Sequence, residues 1–453
     1  MPPEIVMKFG GTSLGTADAM RHAAALVAAE PAERLVVCSA VGGVTDLLIA
    51  AGGSAQTGLD TGPYVAEIHR RHDEIVAKLG LDADLLAMLN AELARLIEGV
   101  QNLGELTPRV SDMLVSLGER ASTRLFAAAL TKNGTAARAW DAWELGLSTN
   151  DRYGCAETSA DCGERMAASM RDLMPGMVHV VTGFIGRSTD GEITTLGRGG
   201  SDLSAALFGA AAGAREIQIW TDVPGILRAD PRLVAGAGIV PEMLFEEAAE
   251  LAYFGARVLH PRTIEPARQK GIPVRVLGTF QVDPKTSQAA STRGTLVHQA
   301  APPEPVRAIA MRRQARSLHM QSTRMLEAPG FLARVFGIFE RHGISVDVIA
   351  TSEVSVSMTF DRDSGNLPEA LREISAFAQV DSAPERSILC LVGAGLRDDP
   401  SLLARIFSTL ARNKIPVEVI SQGASRINIT LVLKPAMGEC AMRALHAELF
   451  GVK

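Results

Sequence analysis

The sequence predicts an α/β protein: a doubly wound, mostly parallel sheet, followed by two ferredoxin-like βαββαβ modules. Three observations carry this. Through about residue 300, apolar strands alternate with helices across glycine-bearing turns, the pattern of a parallel sheet covered on both faces. The run Leu35-Val36-Val37-Cys38 is apolar throughout, as a strand buried on both sides has to be. Further on, the chain repeats itself. Leu332-Ala333-Arg334-Val335-Phe336 recurs as Leu403-Ala404-Arg405-Ile406-Phe407, and Ile344-Ser345-Val346-Asp347-Val348-Ile349 as Ile415-Pro416-Val417-Glu418-Val419-Ile420, both displaced by 71 positions (332 to 403, 344 to 415). One offset across a helix and the strand after it means two copies of one supersecondary unit.

Composition sets the outer bounds. The 453 residues suit two or three domains, and 47% hydrophobic with 21% charged residues describes an ordinary soluble protein. A net charge of −6 leaves no basic excess for phosphates, so no nucleic-acid partner is expected. No stretch is long and apolar enough to span a bilayer, and the run 5–9 is too short for a signal peptide, so no membrane partner is expected either. Cys38, Cys155, Cys162, Cys390 and Cys440 are odd in number and form no CxxC pair. They predict reduced, mostly buried thiols, and with them a cytoplasmic protein.

A first strand is expected over 4–9, then the turn Gly10-Gly11-Thr12-Ser13 and a helix over 17–29. Lys8 stands at the strand's end, just before the glycines. Glycines let backbone amides approach phosphate oxygens, and a lysine there supplies a point charge to a transferring phosphoryl group. The spacing is neither a Walker A loop nor GxGxxG, and a lone lysine at a strand end is normally only a solvated charge. A second strand over 34–39 runs into Ser39-Ala40-Val41-Gly42-Gly43-Val44-Thr45-Asp46, whose hydroxyls suit a site rim or plain turn chemistry.

Residues 63–130 read as helical, with Leu85, Leu86, Leu89, Leu93 and Leu96 forming a packing face. Inside a helix over 111–130, Glu119 is either a surface charge or a ligand for an amine. Strands are expected over 136–139, 177–182 and 192–195. The last leads to Arg198-Gly199-Gly200, after which Ser201 is expected to cap a helix running to Gly213, with Asp202 in its first turn. A strand over 216–220 ends in Thr221-Asp222 and the turn Val223-Pro224-Gly225. Helix N-termini behind glycines hold phosphate, and open sheets bind ligands beyond the carboxyl ends of their strands. A helix over 241–254, another ending at 270 and a strand over 273–277 complete a first domain expected at 1–300. His260, before a proline in an apolar setting, is read as structural.

Pro302-Pro303-Glu304-Pro305 marks a linker. The first module, 313–384, is expected as strand 315–321, helix 330–342, strands 345–350 and 354–360, helix 367–377 and strand 379–382. The second, 385–453, runs through strand 387–392, helix 401–413, strands 417–421 and 426–433 and helix 436–449, and then lacks one strand. An uncovered sheet edge is an aggregation hazard. The β-compatible run 306–311 is therefore expected to supply the missing strand, which inserts the first module within the second.

Four motifs complete the pattern: Lys8-Phe9-Gly10-Gly11-Thr12-Ser13, Gly197-Arg198-Gly199-Gly200-Ser201-Asp202, Trp220-Thr221-Asp222-Val223-Pro224-Gly225 and Val258-Leu259-His260-Pro261. With the repeated modules behind them, the chain resembles, end to end, the aspartate kinases of the amino-acid kinase family with tandem ACT domains. Gly330-Phe331-Leu332, Ser345-Val346-Asp347 and Thr351-Ser352-Glu353 look most like the lysine-sensitive, monofunctional type. The resemblance implies an enzyme that uses ATP, with Mg²⁺, to phosphorylate the β-carboxylate of L-aspartate to 4-phospho-L-aspartate. This is the first step of the aspartate-derived amino-acid pathway, and feedback inhibition through the ACT modules, by lysine, is implied with it. So is a homodimer or dimer of dimers through those modules.

The resemblance also implies residue roles. Lys8 and Asp202 would be catalytic. Ser39, Thr45, Glu119, Arg198 and Ser201 would hold the amino acid, Arg198 at its α-carboxylate and Glu119 at its α-ammonium. Lys8, Gly10, Gly11, Thr12, Ser13, Thr221, Asp222, Leu227, Arg232, Arg257 and Val258 would surround the nucleotide. Met325, Phe331, Leu332, Ser345, Val346, Asp347, Ser352 and Glu353 would hold the effector. No metal ligand from the chain is implied. Arg257 stands where the family commonly has lysine, and Leu227 where many members have an aromatic residue. Two other readings are a related amino-acid kinase with another carboxylate substrate and a non-catalytic amino-acid-binding regulatory subunit. Glu119 and the paired modules argue against the first, the presence of Lys8, Glu119, Arg198 and Asp202 against the second.

Overall fold

A computed structural model describes residues 2–254, 259, 261–284, 293–300, 304–322, 329–361, 365–397, 399–423 and 427–451. The chain forms two units. The first comprises Met1–Ile226, Pro241–Phe245 and Val258–Ala301, the second Leu227–Val240, Glu246–Arg257 and Pro302–Lys453.

The chain begins with β1 (Ile5–Phe9), α1 (Ala17–Ala29), β2 (Arg34–Cys38) and α2 (Val44–Gln56). Three longer helices follow, α3 (Gly62–Leu79), α4 (Ala87–Leu103) and α5 (Pro108–Lys132). Then come β3 (Ala137–Trp140), β4 (Ser148–Thr149), α6 (Cys162–Arg171), β5 (Val178–Thr182), β6 (Ile185–Ser188) and β7 (Ile193–Thr195). After α7 (Gly200–Ala212) and β8 (Glu216–Thr221) the chain passes through β9 (Glu242–Leu244), α8 (Phe245–Tyr253), α9 (Pro261–Lys270), β10 (Val274–Gly278) and β11 (Thr295–His298). The main sheet has the order β3-β5-β2-β1-β8-β10-β11-β9, and only its β10–β11 pair is antiparallel. A small sheet, β4-β6-β7, lies in the same unit.

Local chemistry explains the helix ends. Thr16 caps α1 by accepting from Ala19 N at 3.2 Å, and Thr107 caps α5 just ahead of Pro108. Leu86, Leu89 and Leu93 are buried, with Leu85 and Leu96 packed beside them, although α4 begins only at Ala87. Phe9 stacks on Trp220 with ring centroids 5.8 Å apart, which locks β1 to β8 in the middle of the sheet.

Two local expectations are corrected. Residues 241–254 are not one helix: Glu242–Leu244 is a strand, because β11, unassigned from sequence, offers it a parallel partner. Ser201 does not cap α7. Gly199 does, in the left-handed conformation at φ 73°, and the helix starts two residues earlier, at Gly200. Glycine adopts that conformation without a Cβ penalty, so the backbone turn decides the start.

The second unit contains β12 (Ala308–Gln321), α10 (Phe331–Arg341), β13 (Val346–Thr351), β14 (Ser355–Phe360), α11 (Leu367–Ser375), β15 (Gln379–Val392), α12 (Pro400–Arg412), β16 (Val419–Ser421), β17 (Asn428–Leu433) and α13 (Pro435–Phe450). The sheet order is β13-β14-β12-β15-β17-β16. β12 and β15 each run unbroken through both repeats, where separate short strands were expected. Register shifts between Arg312 and Ser317 kink their ladder without ending it. Ala308–Arg312 pairs with Val392–Ile388, and Ala315–Gln321 with Arg386–Gln379. Each half has its own core, one around Phe339, Met358 and Phe360, the other around Leu391, Ile406 and Leu431.

Residues 227–240 and 246–257, expected within a 1–300 core, group with this unit. Leu233, Val234 and Ala237 pack on the second core. Glu247 is fully buried, with Oε2 3.2 Å from Arg307 Nε and Oε1 accepting from Ala394 N at 2.7 Å. A buried charge needs such partners.

Candidate active site

β1 and β2 end side by side, Phe9 against Cys38, so the two glycine turns emerge together at the carboxyl edge of the sheet. Gly10 N donates to Trp220 O at 3.1 Å and Ser39 N to Phe9 O at 3.1 Å. A Cβ on Gly11 would lie 2.9 Å from Ala40 O, so the turns approach as closely as backbone allows. Gly183 is needed for the same reason: a Cβ there would meet Ser201 Cβ at 2.7 Å, and α7 could not pass.

Two helix N-termini converge on the space left between these turns. Gly43 opens α2 at φ 79° and Gly199 opens α7 at φ 73°, and neither end has a side-chain cap. Uncapped N–H groups and the helix dipole make both ends attractive to anions. Between them lies a cavity of about 490 Å³. Lys8, Gly11, Ser39, Thr45, Glu119, Arg198, Ser201 and Asp202, to which the resemblance gave roles, all line it.

Lys8 Nζ lies 2.7 Å from Asp202 Oδ1, both side chains mostly buried. β1 supplies the lysine and the first turn of α7 the carboxylate, so the ammonium is held at one point of the wall. Glu119 projects from the middle of α5. Its Oε1 accepts from Ala40 N at 3.1 Å, while Oε2 is buried with no partner among the described residues. Burial pushes its pKa up to about 8, against the opposing pull of the Ala40 N–H and the Lys8 charge. Such a group is ready to ionise for an incoming cation. Arg198 is exposed at the rim.

Other sequence candidates lie apart from the cavity wall. Ser13 Oγ is 2.7 Å from Thr279 Oγ1, behind the first turn, and Thr12 is exposed. Thr221 Oγ1 donates to Asp222 Oδ1 at 3.1 Å at the end of β8, beside β1. Leu227 and Arg232 belong to the second unit, where Leu227 bridges Ile239 and Arg232 pairs with Asp230 at 2.7 Å. Arg257, Val258 and His260 lie outside the described residues. Sequence reasoning left out Asp46, Gly43, Phe184 and Gly197, which also line the cavity. The run from Ser39 to Asp46 held the signal for the first two, since a glycine turn before a helix exposes its first-turn side chains.

Of the effector candidates, Met325 lies outside the described residues. Phe331 packs edge-on against Phe377, Leu332 is partly exposed, and Ser345 and Glu353 are exposed. Val346 begins β13, and Ser352 Oγ lies 2.7 Å from Ser355 Oγ. Asp347 is paired with Arg312, accepts from Tyr253 OH at 2.5 Å, and its side chain is 3% exposed. Burial raises its pKa, against both partners. Of the cysteines, Cys38, Cys162 and Cys390 are buried, but Cys155 and Cys440 are exposed.

Comparison with known proteins matches residues 3–278 to the amino acid kinase family, and residues 322–379 and 389–449 to ACT domains. Aspartokinase 3, chloroplastic, of Arabidopsis thaliana is 41% identical over 465 residues, covering 98% of this chain and 81% of that one. The E. coli aspartokinase III structure with aspartate and ADP, in the R-state, is 36% identical with a TM-score of 0.80, covering 98% and 99% of the two chains. The T-state structure of the same enzyme, with lysine and aspartate, gives 37% and 0.78 over the same shares. The expectation of a cytoplasmic protein is overturned by the Arabidopsis relatives, three of which, at 39% to 41% identity, are chloroplastic by name. Free thiols report a reducing environment and not which compartment provides it.

Proposed function

The chain belongs to the amino acid kinase family and carries two ACT domains, and from that premise we propose that it phosphorylates the β-carboxylate of L-aspartate with ATP and is feedback-regulated through the ACT domains. The observation that carries the reading is the buried carboxyl of Glu119, with one oxygen unpartnered, in the same cavity as the Lys8–Asp202 pair. It provides an amine ligand and a phosphoryl-stabilising charge within one small space.

In this reading the α-ammonium of aspartate meets Glu119 and its α-carboxylate meets the Arg198 guanidinium, with Ser39, Thr45 and Ser201 along the wall. The β-carboxylate then points towards Lys8. A carboxylate is already ionised, so no general base is needed, and positioning and charge stabilisation do the chemistry. As the γ-phosphoryl leaves ADP, Lys8 and the N-terminus of α7 face the charge that develops on its equatorial oxygens. Asp202 keeps the ammonium aimed. Thr221 and Asp222 are proposed for the nucleotide side. Mg²⁺ would enter on the nucleotide, held by phosphate oxygens and water, as this ion commonly is.

We assign the kinase core to 1–300, less the segments 227–240 and 246–257 that group with the second unit, the first ACT module to 313–384 and the second to 385–453 with strand 306–311. A homodimer through the ACT modules is supported by the exposure of Ile349, Val354 and Ile420. Lysine is the proposed effector. A coupled assay of ADP release tests substrate and effector together, with L-aspartate or L-glutamate and with or without lysine or threonine. Turnover with aspartate and inhibition by lysine are expected; turnover with glutamate alone sinks the substrate, and inhibition by threonine alone sinks the effector. An effector acts only through unequal affinity for two states of the enzyme, so aspartate and lysine should each weaken the other's binding by the same factor.

The raised pKa of Glu119 adds a pH signature. Below about 8 the free enzyme holds a proton there, and binding an ammonium has to expel it. Apparent affinity for aspartate should therefore rise by up to about tenfold per pH unit towards pH 8 and level off above it. Calorimetry in buffers of different ionisation enthalpy reads the released proton directly. A dissociation constant that stays flat from pH 6.5 to 8, with no proton released, contradicts the placement of the ammonium.

A further inference from the structure

The Gly42-Gly43 turn has few bonds of its own. Both residues lack side chains, Gly43 sits at φ 79°, and α2 opens on it without a side-chain cap. Within the turn itself, Val44 N donates to Val41 O at 2.9 Å and Leu47 N to Gly43 O at 3.2 Å. Neither bond fixes the Gly42 carbonyl. Consecutive glycines exchange backbone conformations at little steric cost, so the orientation of the Gly42–Gly43 peptide rests on its contacts with other elements.

One side chain from another element tethers it. Arg71, on α3, donates through Nη1 to the Gly42 carbonyl. The same guanidinium donates through Nε to Glu67 Oε1 at 2.8 Å, one helical turn earlier, and is only one-third exposed. Its fork is thus held from behind by a carboxylate and aimed forward at a single oxygen. A Cβ built on Gly43 would lie 2.6 Å from Arg71 Nη1, so the guanidinium closes directly on the turn.

We propose that Arg71 is a positioning residue for the amino-acid substrate. Through the Gly42 carbonyl it holds the turn, and thereby the N-terminus of α2 and Thr45, in the register that meets an anionic ligand. Helix α2 does not depend on it, since Leu48, Ala51 and Ala55 are fully buried in the core. The inference rests on the reading of the cavity as an aspartate site.

The experiment compares wild type with Arg71→Met, Arg71→Lys and Glu67→Gln. Arg71→Met is expected to raise KM for aspartate by roughly tenfold, since small misplacements of a binding wall have effects of that order or more. KM for ATP should stay within about twofold and the unfolding midpoint should be nearly unchanged. Arg71→Lys, which keeps one donor for the carbonyl, should recover part of the loss, and Glu67→Gln should show a smaller one. Hydrogen exchange of the Val44 and Leu47 amides, which are bonded within the turn, measured without substrate, should quicken in Arg71→Met and not later in α2. Wild-type KM for aspartate in Arg71→Met, or equal rises for both substrates, overturns the inference. A wild-type enzyme inert towards aspartate overturns the functional reading instead, and the exchange measurement then decides the role of Arg71 alone: unchanged protection of the turn rejects it.

Discussion

Lys8→Ala should reduce turnover by about two to three orders of magnitude in a protein that remains folded. A donor aimed at charge that develops only in the transition state contributes roughly 3 kcal/mol, and its loss appears in kcat. Here the effect is compounded. Lys8 Nζ is the partner of Asp202 at 2.7 Å, so its removal leaves a mostly buried carboxylate facing the incoming phosphates. Repulsion then adds to the lost attraction. The fold does not rely on this side chain, because the backbone of β1 remains laddered to β2 and β8 on both sides. Steady-state kinetics beside a thermal melt separate the two effects. A folded variant that keeps most of its kcat removes Lys8 from the chemistry.

Glu119→Gln should weaken aspartate binding by about 2 kcal/mol or more, roughly thirtyfold, with far less effect on ATP. Truncating or neutralising one partner of a buried charged pair typically costs 2–5 kcal/mol, much of it from the charge left unpaired. Glutamine retains an acceptor for Ala40 N, so the bond that ties α5 to the second turn survives. What disappears is the negative charge for the ammonium. The same variant should abolish the rise in aspartate affinity towards pH 8, because the titrating group is gone. Equal losses for both substrates, or a pH dependence that persists, would show that Glu119 supports folding and not recognition.

The strands, the glycine turns and the repeat were legible because each is written locally. A buried parallel strand must be apolar along its whole length, a left-handed turn residue favours glycine, and a duplicated unit shows itself by a constant offset. Lys8, Arg198 and Asp202 could be picked out for the same reason, since they stand beside glycine turns. Glu119 was ambiguous. A carboxylate in a helix ordinarily faces water, and the feature that buries it is a neighbour without a side chain. A Cβ on Gly118 would meet Ala40 Cβ at 2.8 Å, so only glycine lets α5 close on the second turn. The helix expected over 241–254 failed differently: its first residues became β9 because a strand distant in sequence was there to pair with them.

By itself, then, the sequence determined the α/β class, the doubled modules, the family resemblance and the set of residues to suspect. The class follows from side-chain periodicity and the modules from a constant offset, while most of the residues to suspect follow from the resemblance that the motifs carry. Tertiary structure alone decided the pairing of Lys8 with Asp202, the raised pKa of Glu119, the engagement of Asp347 by Arg312 and Tyr253, and the contact of Arg71 with Gly42. Burial and electrostatics depend on which distant groups are brought within a few ångströms. That is a property of the packed chain, and no local pattern encodes it.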